Sequence, residues 1–130
     1  MKNIDVTCAV IVRDESVLIT QRGAGMDRSG KWEFPGGKLE KNETAEQCII
    51  REIKEELDID IKVIRWLEPV KYSYPDITIR LIPCLAKIIS RKITAHEHSD
   101  YKWVSKNELM SFDWAPADIP VAKQVLNMEL

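Results

Sequence analysis

Gly37-Lys38-Leu39-Glu40-Lys41-Asn42-Glu43-Thr44-Ala45-Glu46-Gln47-Cys48-Ile49-Ile50-Arg51-Glu52-Ile53-Lys54-Glu55-Glu56-Leu57-Asp58-Ile59 is the stretch on which the reading of this chain turns. From Glu43 to Leu57, the apolar residues Ile49, Ile50, Ile53 and Leu57 fall within an arc of about 100° when residues advance at 3.6 per turn, which predicts an amphipathic helix. Glu52, Glu55 and Glu56 stand at i, i+3 and i+4, so their carboxylates share one face. Like charges at that spacing repel by a few tenths of a kcal/mol per pair, and a bound divalent cation would relieve the repulsion. Oxygen donors without His or Cys suit Mg²⁺ or Mn²⁺. The acids flank the small residues Ala45 and Cys48 and lie roughly 120° from the centre of the apolar stripe, so one helix can bury a side and still offer its acids to a cleft. The other reading of an isolated E-x-x-E-E is the solvated face of a surface helix.

Upstream, Pro35-Gly36-Gly37 is a sharp break preceded by Trp32-Glu33-Phe34, and Gly23 to Lys31 reads as a loop. Ile4 to Val12 and Val17 to Gln21, separated by the polar Arg13-Asp14-Glu15-Ser16, read as a hairpin. Downstream, Ile61 to Tyr74 and Asp76 to Ile89 are β-type stretches that pair as a second hairpin, with Ile77, Ile79 and Leu81 alternating against Thr78 and Arg80. Asp100 to Val104 is a further strand. Ser105-Lys106-Asn107-Glu108 has capping-box form and starts a short helix, and Ile119 to Met128 closes the chain as a helix after Pro116. The product is an α/β fold, a mixed sheet with helices packed on it.

At 130 residues the chain has the length of a single domain, residues 1–130, with no repeat or linker at which to divide it. Its 45% apolar and 31% charged residues suit a globular core, and a net charge of −2 gives no bulk attraction to a nucleic acid polymer. The longest apolar run, Cys8 to Val12, is far short of the ~20 residues of a membrane helix, and the N-terminus lacks the pattern of a signal peptide. A cytoplasmic protein, monomeric or homodimeric, is expected. The three cysteines, Cys8, Cys48 and Cys84, include no C-x-x-C pair and read as reduced, small apolar residues.

The spacing from Gly37 through Glu43 to Arg51-Glu52-Ile53-Lys54-Glu55-Glu56-Leu57 and Ile59 resembles the box of the Nudix hydrolases, G-x5-E-x7-R-E-U-x-E-E-x-G-U with U apolar. Asp58 departs from the pattern, standing where the family has a glycine that ends the helix in a left-handed conformation. The resemblance implies an α/β/α sandwich in which the box binds divalent metal, Mg²⁺ or Mn²⁺, at a diphosphate. It implies that Glu52 is a general base or a metal ligand, that Glu55 and Glu56 are metal ligands, and that Arg51 braces the cluster. It makes the Gly36 backbone a candidate ligand, and Arg22 and Lys38 candidate phosphate contacts, each with ordinary surface cation as the other reading. Glu97 is either a solvent-exposed loop acid or the further loop carboxylate that Nudix enzymes use for metal or water. His96 and His98 are read as loop residues.

Gly30-Lys31-Trp32-Glu33-Phe34-Pro35-Gly36-Gly37-Lys38 and the chain length resemble the MutT branch, whose reaction is attack of water on an inner phosphorus of a nucleoside triphosphate, releasing nucleoside monophosphate and pyrophosphate. Ala95-His96-Glu97-His98, Trp103 and Trp114-Ala115-Pro116-Ala117-Asp118-Ile119-Pro120 resemble the bacterial CTP pyrophosphohydrolases, which act on cytidine and some modified pyrimidine nucleotides. A carboxylate at Asp118 accepts hydrogen bonds only, which suits an amino group such as cytosine N4; the other reading is the N-cap of the last helix. Phe34 stacks on the base or belongs to the core. Two rival functions follow, an 8-oxo-dGTP diphosphatase of nucleotide-pool cleansing and a non-catalytic nucleotide-binding Nudix module. The module is distinguished by loss of box acids, all of which are present here.

Overall fold

The computed structural model describes residues 2–23, 28–89 and 98–129, with positions 98 and 99 described as backbone alone. β1 (Lys2–Arg13) is the spine of a mixed sheet. It runs parallel to β7 (Ile77–Ile88) in register from Lys2↔Ile77 to Ile11↔Ala86. On its other side it is antiparallel to β4 (Gly36–Lys38), and farther along to the start of β2 (Ser16–Arg22). β2 in turn pairs with β3 (Trp32–Glu33) and β8 (His98–Ser105). The β1–β2 connection is the two-residue loop Asp14-Glu15, both with positive φ of 51° and 66°. Such a turn matches the twist of paired strands.

The stretch Ile61 to Tyr74 breaks in two where one continuous strand is expected. β5 (Ile61–Trp66) pairs with the end of β7, and β6 (Val70–Ser73) pairs with its beginning. Pro69 cannot donate to a ladder, and the helix α2 (Ile119–Leu126) takes over the interruption: Gln124 accepts from the Glu68 N–H and donates to the Glu68 carbonyl.

Alternation along β1 builds the two faces of the sandwich. Cys8 and Val10 join the apolar cluster that holds Val121, Ala122 and Val125 of α2. Ala9 and Ile11 join the cluster that holds Ile49, Ile53 and Leu57 of α1 (Ala45–Leu57). Side chains of successive strand residues point to opposite faces, so the helices cover opposite sides of the sheet. The Ser105–Glu108 capping box forms, but the turn it opens, Lys106–Ser111, is a 3-10 helix. A second 3-10 turn, Pro116–Asp118, precedes α2, which ends at Leu126 and not at Met128.

α1 begins at Ala45, two residues later than the apolar period suggests, because Thr44 caps it. Its hydroxyl accepts from Gln47 N, and the Gln47 side chain accepts from Thr44 N. The helix ends at Asp58 in the left-handed region, φ 56° and ψ 38°, a conformation that is easier for glycine. The Lys54–Asp58 ion pair at 3.6 Å is solvent-exposed and contributes little. Asp58→Gly is therefore expected to stabilise the fold by up to about 1 kcal/mol, a rise in Tm of about 2–4 °C in calorimetry. An unchanged or lower Tm would show that Asp58 carries no strain.

Candidate active site

Arg51 organises the acidic face of α1. Its guanidinium grips Glu43 through two bonds, Nε to Oε2 at 2.6 Å and Nη2 to Oε1 at 3.0 Å. Nη1 donates to Glu52 Oε1 at 2.8 Å and reaches both oxygens of Glu55 at 3.3 Å, while Nη2 also donates to the Lys38 carbonyl at 3.2 Å. The Glu43 carboxyl is lowered to about 2, first by its bonds to Arg51 and then by the Glu40 N–H, which donates to it at 2.9 Å. Arg51 is correspondingly raised, with Glu43 as the main cause. Burial grades the three predicted acids: Glu55 has a side chain 54% exposed, Glu52 is half-buried, and Glu56 is 4% exposed.

β4 brings backbone to this face. A Cβ on Gly36 would overlap the Thr7 carbonyl oxygen, so only glycine lets β4 approach β1 here. A Cβ on Gly37 would overlap the carboxylate of Glu52, so the glycine turn and the acid are in contact. Thr7 Oγ1 donates to the Gly37 carbonyl at 3.3 Å.

A cleft of about 520 Å³ runs from this acidic end across the sheet. Gly36, Gly37, Lys38, Glu52, Glu55 and Glu56 line it together with Glu33, Phe34, Ala115, Ala117 and Asp118 and an apolar wall from β1 and β7. Arg28 stacks 3.9 Å over the Tyr74 ring at the rim. Asp118 is 6% exposed and accepts from Phe34 N at 2.8 Å. Burial, and then the charge of Glu33, push the Asp118 carboxyl well above its usual range against the pull of that bond and of Arg22. Arg22 is ion-paired with Glu33 at 2.8 Å.

Several expectations change. Asp118 makes no capping bond to α2, which removes the N-cap reading. Phe34 is 2% exposed and stacked on Trp114 at 4.8 Å, so its ring belongs to the core and forms part of the cleft wall. Cys8 and Cys84 are apolar core residues whose thiols burial pushes up, Cys84 to about 12. Cys48 has polar partners, Thr7 and the carbonyls of Gly37 and Lys38, which a reading by hydropathy misses. His98 opens β8 and is not a loop residue. Glu97 and His96 lie outside the described residues. Glu33, Glu43, Arg28 and Tyr74 make contacts in and around the site that sequence pattern alone does not reveal. Glu33 and Glu43 sit inside quoted motifs, whereas nothing local distinguishes Tyr74, whose hydroxyl accepts from Ala117 N at 3.3 Å.

Among the described residues, no three His, Cys, Asp or Glu side chains already surround a common point as a metal cage. The donor set is nonetheless all oxygen, the carboxylates of Glu52, Glu55 and Glu56 beside the Gly36 backbone on one cleft wall, and its chemistry fits Mg²⁺ or Mn²⁺. None of the described helices is long and apolar enough to cross a membrane.

The NUDIX domain profile matches residues 1–125. The chain is 37% identical to the CTP pyrophosphohydrolase of Escherichia coli (strain K12) over 121 residues, 93% of this chain and 90% of that protein. It is 33% identical to the 8-oxo-dGTP diphosphatase of the same organism, covering 93% of this chain and 95% of that one. Its structure superposes on MutT, a Nudix hydrolase from methicillin-resistant Staphylococcus aureus 252, with a TM-score of 0.79, 38% identity and 98% of both chains covered. A box of acids around Arg51, a mixed sheet between two helical layers and relatives that match end to end agree: the chain belongs to the NUDIX domain family and is a pyrophosphohydrolase.

Proposed function

We propose that the chain hydrolyses a nucleoside triphosphate to nucleoside monophosphate and pyrophosphate with Mg²⁺ or Mn²⁺, with CTP, dCTP or a modified pyrimidine nucleotide as its preferred substrate. The observation that carries this reading is a single cleft lined both by the acids with their glycine turn and by a buried carboxylate, Asp118. Such a cleft can take a polyphosphate and a base at once.

In this reading Glu52, Glu55, Glu56 and the Gly36 backbone hold the cation, with Glu97 as a further carboxylate. The cation, when bound, neutralises phosphate oxygens and acidifies water. Glu52 or Glu97 takes the proton from the attacking water. The water oxygen bonds to the β-phosphorus, and the bond from that phosphorus to the α–β bridging oxygen breaks, so the monophosphate leaves with the bridging oxygen. Arg51, through its bond to Glu52 Oε1, orients that carboxylate. Lys38, exposed beside the acids, contacts phosphate, and Arg22 contacts substrate from its pairing with Glu33. Phe34 acts through its backbone, whose N–H orients Asp118.

Asp118 supports cytosine over uracil because an ionised carboxylate only accepts, and uracil O4 offers no hydrogen. The second reading, 8-oxo-dGTP, is favoured by the 33% identical relative. A turnover panel of CTP, 5-methyl-dCTP and 8-oxo-dGTP with each metal separates the two.

Glu52→Gln and Glu56→Gln are each expected to lower kcat by about 100-fold or more with the fold intact by circular dichroism. Near-normal hydrolysis by Glu56→Gln would overturn the metal assignment. In ¹⁸O-labelled water the label is expected in pyrophosphate and not in the nucleoside monophosphate, by mass spectrometry; label in the monophosphate would place attack at the α-phosphorus.

Asp118→Asn supplies a donor while its oxygen can still accept from Phe34 N, and is expected to reduce CTP over UTP discrimination in kcat/KM by about 1–3 kcal/mol. Because Asp118 is raised, acid restores a proton to it, so in the parent protein the same ratio is expected to be smaller at pH 6 than at pH 9, and flat in Asp118→Asn. A ratio unmoved by either change would remove Asp118 from base selection.

A further inference from the structure

β1 is apolar from Val6 to Val12 except at one position, Thr7, which is fully buried and faces α1. A buried hydroxyl is costly unless it is hydrogen-bonded, and valine would fill the same volume. The Thr7 hydroxyl instead donates to the Gly37 carbonyl at 3.3 Å and touches Cys48 Sγ at 3.1 Å. Cys48, also fully buried, donates toward the Lys38 carbonyl at 3.3 Å and lies 3.6 Å from the Gly37 carbonyl. Arg51 Nη2 closes the ring, donating to the same Lys38 carbonyl at 3.2 Å and approaching the sulfur at 3.9 Å. Two successive carbonyls of the turn that abuts Glu52 are thus held from behind by a hydroxyl and a thiol carried on different elements.

We propose that Thr7 and Cys48 are positioning residues of the pyrophosphohydrolase site: their side chains fix the Gly37 and Lys38 peptide planes, and through them the glycine turn against the carboxylate of Glu52. The inference needs the pyrophosphohydrolase activity and its oxygen-donor metal site, not any base preference. Ladder bonds from β1 set where β4 lies, but β4 spans only Gly36–Lys38, and its last two carbonyls are the ones these side chains take. Burial raises the Cys48 thiol, against the opposing pull of Thr7, so at neutral pH the sulfur keeps the hydrogen it donates.

The experiment compares Thr7→Val and Cys48→Ala with the conservative Thr7→Ser and Cys48→Ser. Three properties are measured: kcat and KM with Mg²⁺ for whichever of CTP, dCTP and 8-oxo-dGTP turns over fastest, Mn²⁺ binding without nucleotide by the electron paramagnetic resonance of free Mn²⁺, and Tm. Thr7→Val and Cys48→Ala are each expected to lower kcat and weaken Mn²⁺ binding by about tenfold with KM within about twofold, and the serine variants to recover most of both. The double variant is expected to lose little more than either single one, because the two groups act on one turn. Parent-like kcat and Mn²⁺ binding in Thr7→Val would overturn the proposal, as would losses that follow Tm alone and disappear on cooling. Failure of the parent protein to hydrolyse any triphosphate would refute the substrate reading instead, and the Mn²⁺ measurements would still decide whether Thr7 and Cys48 position the turn.

Discussion

The bidentate grip of Arg51 on Glu43 is the contact on which the site depends. Four carboxylates, those of Glu40, Glu43, Glu52 and Glu55, approach one guanidinium within 3.3 Å. Without it, α1 would carry an uncompensated cluster of like charge along one face. A lysine could not replace it, since an ammonium is a point charge, whereas the planar guanidinium takes Glu43 with one edge and Glu52, Glu55 and the Lys38 carbonyl with what remains. Because Glu43 lies before the helix and Lys38 lies in β4, the same group ties loop, strand and helix together. Electrostatic relief and the geometry of the turn are one interaction.

β1 distributes these constraints to both faces of the sheet. Thr7 faces α1 and the turn carbonyls, while its neighbour Cys8 faces the α2 side, in the apolar cluster that borders Asp118. The period of two in a strand thus points successive residues of β1 to opposite faces, and both Thr7 and Cys8 line the cleft. The small residue at Gly36 allows β4 to lie against β1, so that the acids and Asp118 line a single cleft.

What could be read in the sequence follows the range of the interactions. The acids of α1, its apolar stripe, the Ser105 capping box and the left-handed Asp58 are settled within a few residues, and local pattern is enough to find them. The break in the strand at Leu67 depends on Gln124, 56 residues beyond Glu68, and periodicity cannot see it. Cys48 passes for an apolar helix residue until Thr7, 41 residues earlier, is placed beside it. An acid ahead of Ile119-Pro120 has the local form of a helix cap, but the Asp118 side chain instead accepts from Phe34 N across 84 residues. Glu33 gave no sign of being an electrostatic neighbour of Asp118, because only the fold brings them near.

Asp118 shows what that long-range contact demands. Its raised carboxyl favours the folded chain while protonated, and that advantage is lost as pH rises from the unfolded value through the folded one, so the ionised form burdens the fold. The Phe34 N–H offsets part of this, as does Arg22, but Glu33 adds to it. An asparagine would accept from Phe34 N with its amide oxygen and bring no charge into the core. Folding therefore gives no reason for an acid at this position, and the surrounding residues hold it at the wall of the cleft at a cost in stability. A buried acid that the fold would be steadier without, lining the cleft beside Phe34, is the kind of perturbed group that points to a functional role and not to a structural one.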